Sequence, residues 1–169
     1  MLRLMAGSYS FDVVSEFDRQ ELLNVIDQVR RDLNQRYDLK DSNSEIEIEE
    51  TSIIVRTDSE MTLQSIEDLI RQKATKRNLS LKIFDFQTPE SVGGNRTKQI
   101  INLRKGISQE ISKKLNKILR EGLKKVNGSI QGESLRITGK NKDDLQEAIR
   151  LLKEEEKNLD IPLQFGNYR

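Results

Sequence analysis

Two short basic groups are the residues best suited to chemistry. Arg104, Lys105 and Gly106 precede Ser108, and further along Arg136, Thr138 and Lys140 alternate through a second segment. Cations beside a glycine, followed by a serine able to open a helix, suit an anion: the glycine lets backbone approach closely, and a helix N-terminus offers unpaired amides. A phosphorylated planar ligand needs cations, amides and a flat surface, and these residues supply the first two. The same pattern also fits a tight turn at Gly106 with a solvated lysine rim. A third basic group, Lys113, Lys114, Lys117, Arg120, Lys124 and Lys125, runs along one helical segment, 108–125. It suits sequence-blind contact with RNA or an acidic partner, or solubility alone.

Catalytic chemistry is poorly served. With no Cys and no His, disulfides, thiolate or imidazole metal sites, cysteine nucleophiles and imidazole-dependent triads all drop out. The adjacent acids Glu49-Glu50, Asp143-Asp144 and Glu154-Glu155-Glu156 fit solvent-facing positions, and Gly93-Gly94 lacks the Lys-Ser/Thr of a phosphate-binding loop. The expectation is a protein that is not an enzyme and holds no metal or cofactor. For stacking a base, Ser134 to Thr138 carries no aromatic residue, whereas Tyr9, Phe11, Phe84 and Phe86 alternate like core rings. Phe165 and Tyr168 face opposite sides by their odd spacing, so a base could stack on one of them, or on Arg136.

The elements that position these residues form a repeat. Tyr9 to Val14 alternates as a half-buried strand, and Asp18 followed by Glu21 is a capping box opening a helix with Leu22, Ile26, Val29 and Leu33 on one stripe. Glu45 to Thr57 reads as a hairpin, Met61 to Lys76 as a second helix, and Leu81 to Phe86 as a fourth strand. Residues 97–168 repeat the order: a strand at Gln99 to Leu103, a helix from Ser108, a hairpin around Gly132, a helix over Asp143 to Lys157, and a strand in Pro162 to Tyr168. The expected fold is α+β, a tandem of two ferredoxin-like, RNA-recognition-like βαββαβ domains, each a four-stranded antiparallel sheet with two helices on one face. The limits are 1–90 and 97–169, with Thr88 to Arg96 supplying a Pro- and Gly-containing connector centred on 91–96. They assume that the copies exchange no strand, which periodicity cannot decide.

Charge divides unevenly along the chain. Residues 1–95 hold 12 basic and 18 acidic side chains, residues 96–169 hold 17 and 10, and the overall net charge is +1. Ligand binding to the basic half is therefore expected to alter how it docks on the acidic half or on a partner. No run approaches a membrane span. Met1 to Gly7 is too short and interrupted for a signal peptide, Met5 is a second candidate start, and a cytoplasmic location is expected.

Several segments together resemble the YajQ family of small bacterial proteins. They are Ser10-Phe11-Asp12-Val13-Val14-Ser15-Glu16, Arg36-Tyr37-Asp38-Leu39-Lys40, Arg104-Lys105-Gly106-Ile107-Ser108 with Lys113-Lys114, and Ile130-Gln131-Gly132 leading to Leu135-Arg136-Ile137-Thr138-Gly139-Lys140. Asp143-Asp144-Leu145-Gln146 and the terminal Gln164-Phe165-Gly166-Asn167-Tyr168-Arg169 complete the set. The resemblance implies two ferredoxin-like domains in tandem, a cytoplasmic protein without enzymatic activity, and nucleotide binding. For some members it implies recognition of cyclic di-GMP and control of gene expression through a partner such as a transcriptional regulator. It carries no binding residues over to individual positions. The expected function is thus a non-enzymatic sensor of a nucleotide or cyclic dinucleotide; the alternatives are an RNA- or tRNA-binding factor using the basic helix and an adaptor that contacts only proteins.

Overall fold

A computed structural model of the chain describes residues 8–169, so Met1 to Gly7, with both candidate starts, lie outside the described residues. In chain order the elements are β1 (Tyr9–Val14), α1 (Arg19–Gln35), β2 (Glu45–Ile48), β3 (Ser52–Thr57), α2 (Glu60–Lys76), β4 (Phe84–Phe86) and β5 (Glu90–Val92). There follow β6 (Arg96–Leu103), α3 (Gln109–Gly122), β7 (Val126–Gln131), β8 (Ser134–Gly139), α4 (Lys142–Glu155) and β9 (Gln164–Gly166). Among the described residues no helix is long and apolar enough to cross a membrane. The elements fold into two compact units, residues 17–104 and residues 8–16 with 105–169.

In the 17–104 unit the sheet order is β2-β3-β6-β4, with β5 added on β6, and every pairing is antiparallel. Asp18 caps α1 by accepting from the amides of Gln20 and Glu21, and Ser59 caps α2 by accepting from Thr62. The stripes Leu22, Ile26, Val29 and Leu63, Ile66, Ile70 then bury against Ile53, Val55 and Ile101. The first half of β6 is polar yet buried: Thr97 lies opposite Thr57, and Gln99 Nε2 donates to Glu67 Oε2 and to the Gln87 carbonyl, each at 2.8 Å. These partners use both Nε2 hydrogens, while Gln99 Oε1 is buried with no hydrogen-bond partner among the described residues.

In the unit formed by 8–16 and 105–169 the order is β7-β8-β1-β9, again antiparallel throughout. Phe11 and Val13 of β1 lie between Ile137 and Leu135 on one side and Phe165 on the other, and they meet Leu115 and Leu119 of α3 and Ala148 and Leu152 of α4 in one core. The alternate residues Ser10 and Asp12 on β1, with Ser134, Arg136 and Thr138 on β8, make a polar face away from the helices.

Both sheets have the strand order of a ferredoxin-like unit, second-third-first-fourth, but each takes its first strand from the other repeat. β1 sits in the sheet of the C-terminal repeat, and β6, which opens that repeat, sits in the sheet of the N-terminal one. The limits 1–90 and 97–169, which assumed no exchange, therefore do not follow the sheets. Nor is 91–96 a free connector: β5 and β6 pair as a hairpin whose turn uses Gly94 and Asn95 at positive φ.

Exchange also dilutes the charge asymmetry. Among the described residues, 8–16 with 105–169 hold 14 basic and 12 acidic side chains, and 17–104 hold 14 and 16, so net charges of +2 and −2 replace +7 and −6. The physical reason is that β1 carries Asp12 and the following Glu16 into the basic repeat's unit, while Arg96, Lys98 and Arg104 leave it. The opposite charges on which such a switch would draw thus differ by 4 rather than 13.

Candidate functional site

The centre of the polar sheet face is an ion pair built by register. Asp12 of β1 is the cross-strand partner of Arg136 on β8. Arg136 Nε donates to Asp12 Oδ1 at 2.9 Å, Nη2 donates to Oδ2 at 3.4 Å, and Asn167 Nδ2 donates to Oδ2 at 2.7 Å. Thr138 sits two residues along β8, opposite Ser10. Lys140 follows the strand end at an exposed position. Small polar residues therefore surround a bidentate arginine that is oriented before any ligand arrives.

The arginine also sets the acidity of its partner. The hydrogen bond from Arg136 lowers the Asp12 pKa, burial pushes back, and Asn167 and the charges of Arg136 and Arg169 add to the lowering. A carboxylate whose folded pKa lies below its unfolded value adds stability above about pH 4, which is lost as pH falls through the folded pKa. The stability gap between wild type and Asp12→Asn, from urea midpoints, is therefore expected to be constant above about pH 5 and to close below about pH 4. An unchanged gap at pH 3 would show that the pair does not hold Asp12 ionised.

The Arg104-Lys105-Gly106 group straddles the division between the two units. Arg104 belongs to the 17–104 unit, where its Nη2 pairs with Asp85 Oδ1 at 3.2 Å and its Nη1 donates to the Lys82 carbonyl at 3.0 Å. Lys105 and Gly106 belong to the other unit. Gly106 has φ +86°, donates its amide to the Ser15 carbonyl at 2.7 Å, and lies so close to Glu133 that an added Cβ would fall 2.9 Å from that carboxyl group. The next amide, of Ile107, donates to the Glu133 carbonyl at 2.8 Å, and Ser108 Oγ caps α3 by accepting from Ile111. The glycine thus makes a tight turn in which the amides of Gly106 and Ile107 are already used. A cleft of about 220 Å³ remains beside it, with Lys105, Glu16, Glu133 and Ser134 around the rim and the buried Ser15 Oγ, which has no hydrogen-bond partner among the described residues, at its wall.

Along α3 and the turn after it, Lys113, Lys117, Arg120, Lys124 and Lys125 are exposed and make no ion pair among the described residues, while Lys114 reaches Glu155 at 3.6 Å. No cluster of three or more acidic side chains fit for a metal occurs among the described residues. A second cleft, of about 180 Å³, opens where β1 begins and was not among the sequence candidates apart from one ring. Tyr9 and Tyr168 line it together with Lys142 and Arg169. Phe165 and Tyr168 do not face opposite sides as strand alternation predicted: β9 ends at Gly166, Asn167 turns the chain at positive φ, and both rings lie beside Phe11, at 6.1 and 6.2 Å between centroids, with Phe165 half-buried and Tyr168 61% exposed.

The fold defines the class, a tandem of two ferredoxin-like units that exchange their first strands, with a polar sheet face and two small clefts in one of them. The family model described as "Nucleotide-binding protein YajQ-like" matches residues 9–169, and the chain belongs to that family. It is 70% identical over 165 residues, 98% of this chain and 100% of the relative, to a protein of Parasynechococcus marenigrum (strain WH8102) named a nucleotide-binding protein. Relatives of the same description in Prochlorococcus marinus (strain MIT 9211) and Synechococcus sp. (strain JA-3-3Ab) are 65% and 56% identical, each with 98% of this chain and 100% of the relative covered.

Proposed function

We propose that this protein is a cytoplasmic, non-enzymatic nucleotide-binding protein whose ligand is of the cyclic di-GMP type and whose output passes through a partner. The observation that carries this reading is the Arg136–Asp12–Asn167 cluster at the centre of the polar sheet face. With Nε and one Nη2 hydrogen on Asp12, Arg136 still has its Nη1 hydrogens and the second Nη2 hydrogen to donate to guanine O6 and N7, and the neighbouring carboxylate can accept from guanine N1–H and N2–H. Thr138 on the same strand and Lys140 just after its end, with Lys105 at the turn beside the strand's start, supply a hydroxyl and cations for sugar and phosphate. Ser108 serves as the cap of α3, and Arg104 belongs to the 17–104 unit, where it pairs with Asp85. The family description and the names of the relatives support nucleotide binding in general.

A second reading, RNA binding, is favoured by Lys113, Lys117 and Arg120 of α3, exposed and without an ion pair among the described residues. Titration with labelled cyclic di-GMP and with a short single-stranded RNA at two salt concentrations separates them. Salt-tolerant dinucleotide binding that weakens at least about tenfold in Arg136→Ala is expected, the loss of one bidentate base contact. RNA binding that falls with a log–log salt slope of about −0.7 per neutralised phosphate, untouched by Arg136→Ala and unaccompanied by dinucleotide binding, would replace the proposal with an RNA factor.

A further inference from the structure

We propose that the cleft where β1 begins is a base-stacking subsite that takes the purine ring of a nucleoside phosphate, with the phosphate at Lys142 and Arg169. The inference rests on the nucleotide-binding reading and adds to it the flat surface that the polar sheet face lacks. The floor is apolar, formed by Leu145 and Ile149 of α4, which are 6% and 8% exposed. Tyr9 forms one wall. Tyr168 forms another, with the buried Phe11 ring 6.2 Å behind it. The chain holding Tyr168 is pinned by two backbone hydrogen bonds, Ser10 N–H to the Arg169 carbonyl at 3.1 Å and Arg169 N–H to the Ser10 carbonyl at 3.0 Å.

The polar groups sit where a nucleotide would need them. Lys142 Nζ lies 5.3 Å from the centroid of the Tyr9 ring, so a cation already occupies the rim of an aromatic wall. Gln146, exposed one turn further along α4, carries both a donor and an acceptor for a base edge. At about 180 Å³ the cleft is smaller than the roughly 300–1,000 Å³ that enclose whole drug-sized ligands. It suits one ring system, with sugar and phosphate left at the mouth. Two aromatic walls and an apolar floor suit any purine, because every base has a π-face.

The protein reports on this site by itself. It has no Trp and three Tyr, of which Tyr9 and Tyr168 line the cleft and Tyr37 lies in the other unit. In a full-length Tyr37→Phe background, tyrosine emission is followed during titration with AMP, GMP and cyclic di-GMP, with inner-filter correction against N-acetyltyrosinamide. Saturable quenching is expected, with affinity reduced about 5- to 150-fold by Tyr168→Ala, as for a lost stacking partner. Lys142→Gln is expected to weaken AMP while leaving adenosine unchanged. Tyr168 is exposed, so its removal leaves the fold intact, which circular dichroism checks. Nucleotide binding that survives Tyr168→Ala and Lys142→Gln but is lost in Arg136→Ala overturns the subsite and leaves the nucleotide-binding reading standing. Adenosine binding as tightly as AMP overturns the phosphate assignment to Lys142 and Arg169. No binding of any nucleotide by the wild-type protein overturns both.

Discussion

Phe11→Ala is expected to cost about 3–5 kcal/mol, the usual range for removing a fully buried ring, and to take that stability from the unit that holds the C-terminal repeat. Phe11 is 0% exposed, lies opposite Ile137 in the β1–β8 register, and packs edge-on against Phe165 at 6.1 Å between centroids. No small shift of a closely packed core refills a ring-sized cavity. Native-state hydrogen exchange locates the loss: amides of β8 and β9 are expected to lose protection while those of β3 keep theirs. Loss of protection in β3 with β8 unaffected would place β1 in the sheet of its own repeat and refute the exchange.

Ile101→Ala is the mirror experiment. Ile101 is 0% exposed, sits opposite Ile53 of β3 and Phe86 of β4, and belongs to the core of the 17–104 unit, although it lies in the first strand of the C-terminal repeat. Its truncation is expected to cost about 2–5 kcal/mol, with protection lost in β3 and β4 and retained in β8. Together the two variants form a crossed pair. A residue from the first half unsettles the second repeat's sheet, and a residue from the second half unsettles the first's.

The exchange matters for the proposed binding because it brings the candidate residues together. Asp12 arrives on β1, and only in the sheet of β8 does it meet Arg136. Tyr9 arrives on the same strand and meets Lys142 and Tyr168 in the second cleft. A change that removed β1 from this sheet would therefore remove Asp12 from Arg136 and open the aromatic wall in one step.

Much of the local structure was readable from spacing. The caps Asp18 and Ser108, the helical stripes and the hairpin at Gly132 follow from short-range rules in which donor, acceptor and hydrophobic period lie within a few residues. Gly106 was legible as a glycine that the backbone requires, but whether its turn cradles an anion depended on where its amide points, and that amide is taken by Ser15. Arg104 was grouped with its neighbours because sequence proximity is all a linear reading sees; its partner Asp85 comes from another strand. The Tyr9–Lys142 contact joins residues far apart in the chain and carries no local signal.

The sequence by itself determined that there are two βαββαβ repeats, because hydrophobic period is a local property that each segment carries wherever it goes. Tertiary structure alone decided which first strand completes which sheet. Tyr9, Phe11 and Val13 show the same alternation as Gln99, Ile101 and Leu103, so either set fits the period of either slot. Side-chain fit breaks the tie. Phe11 finds Phe165 and Tyr168, whereas the buried Nε2 of Gln99 needs the Glu67 carboxylate and the Gln87 carbonyl to accept its two hydrogens.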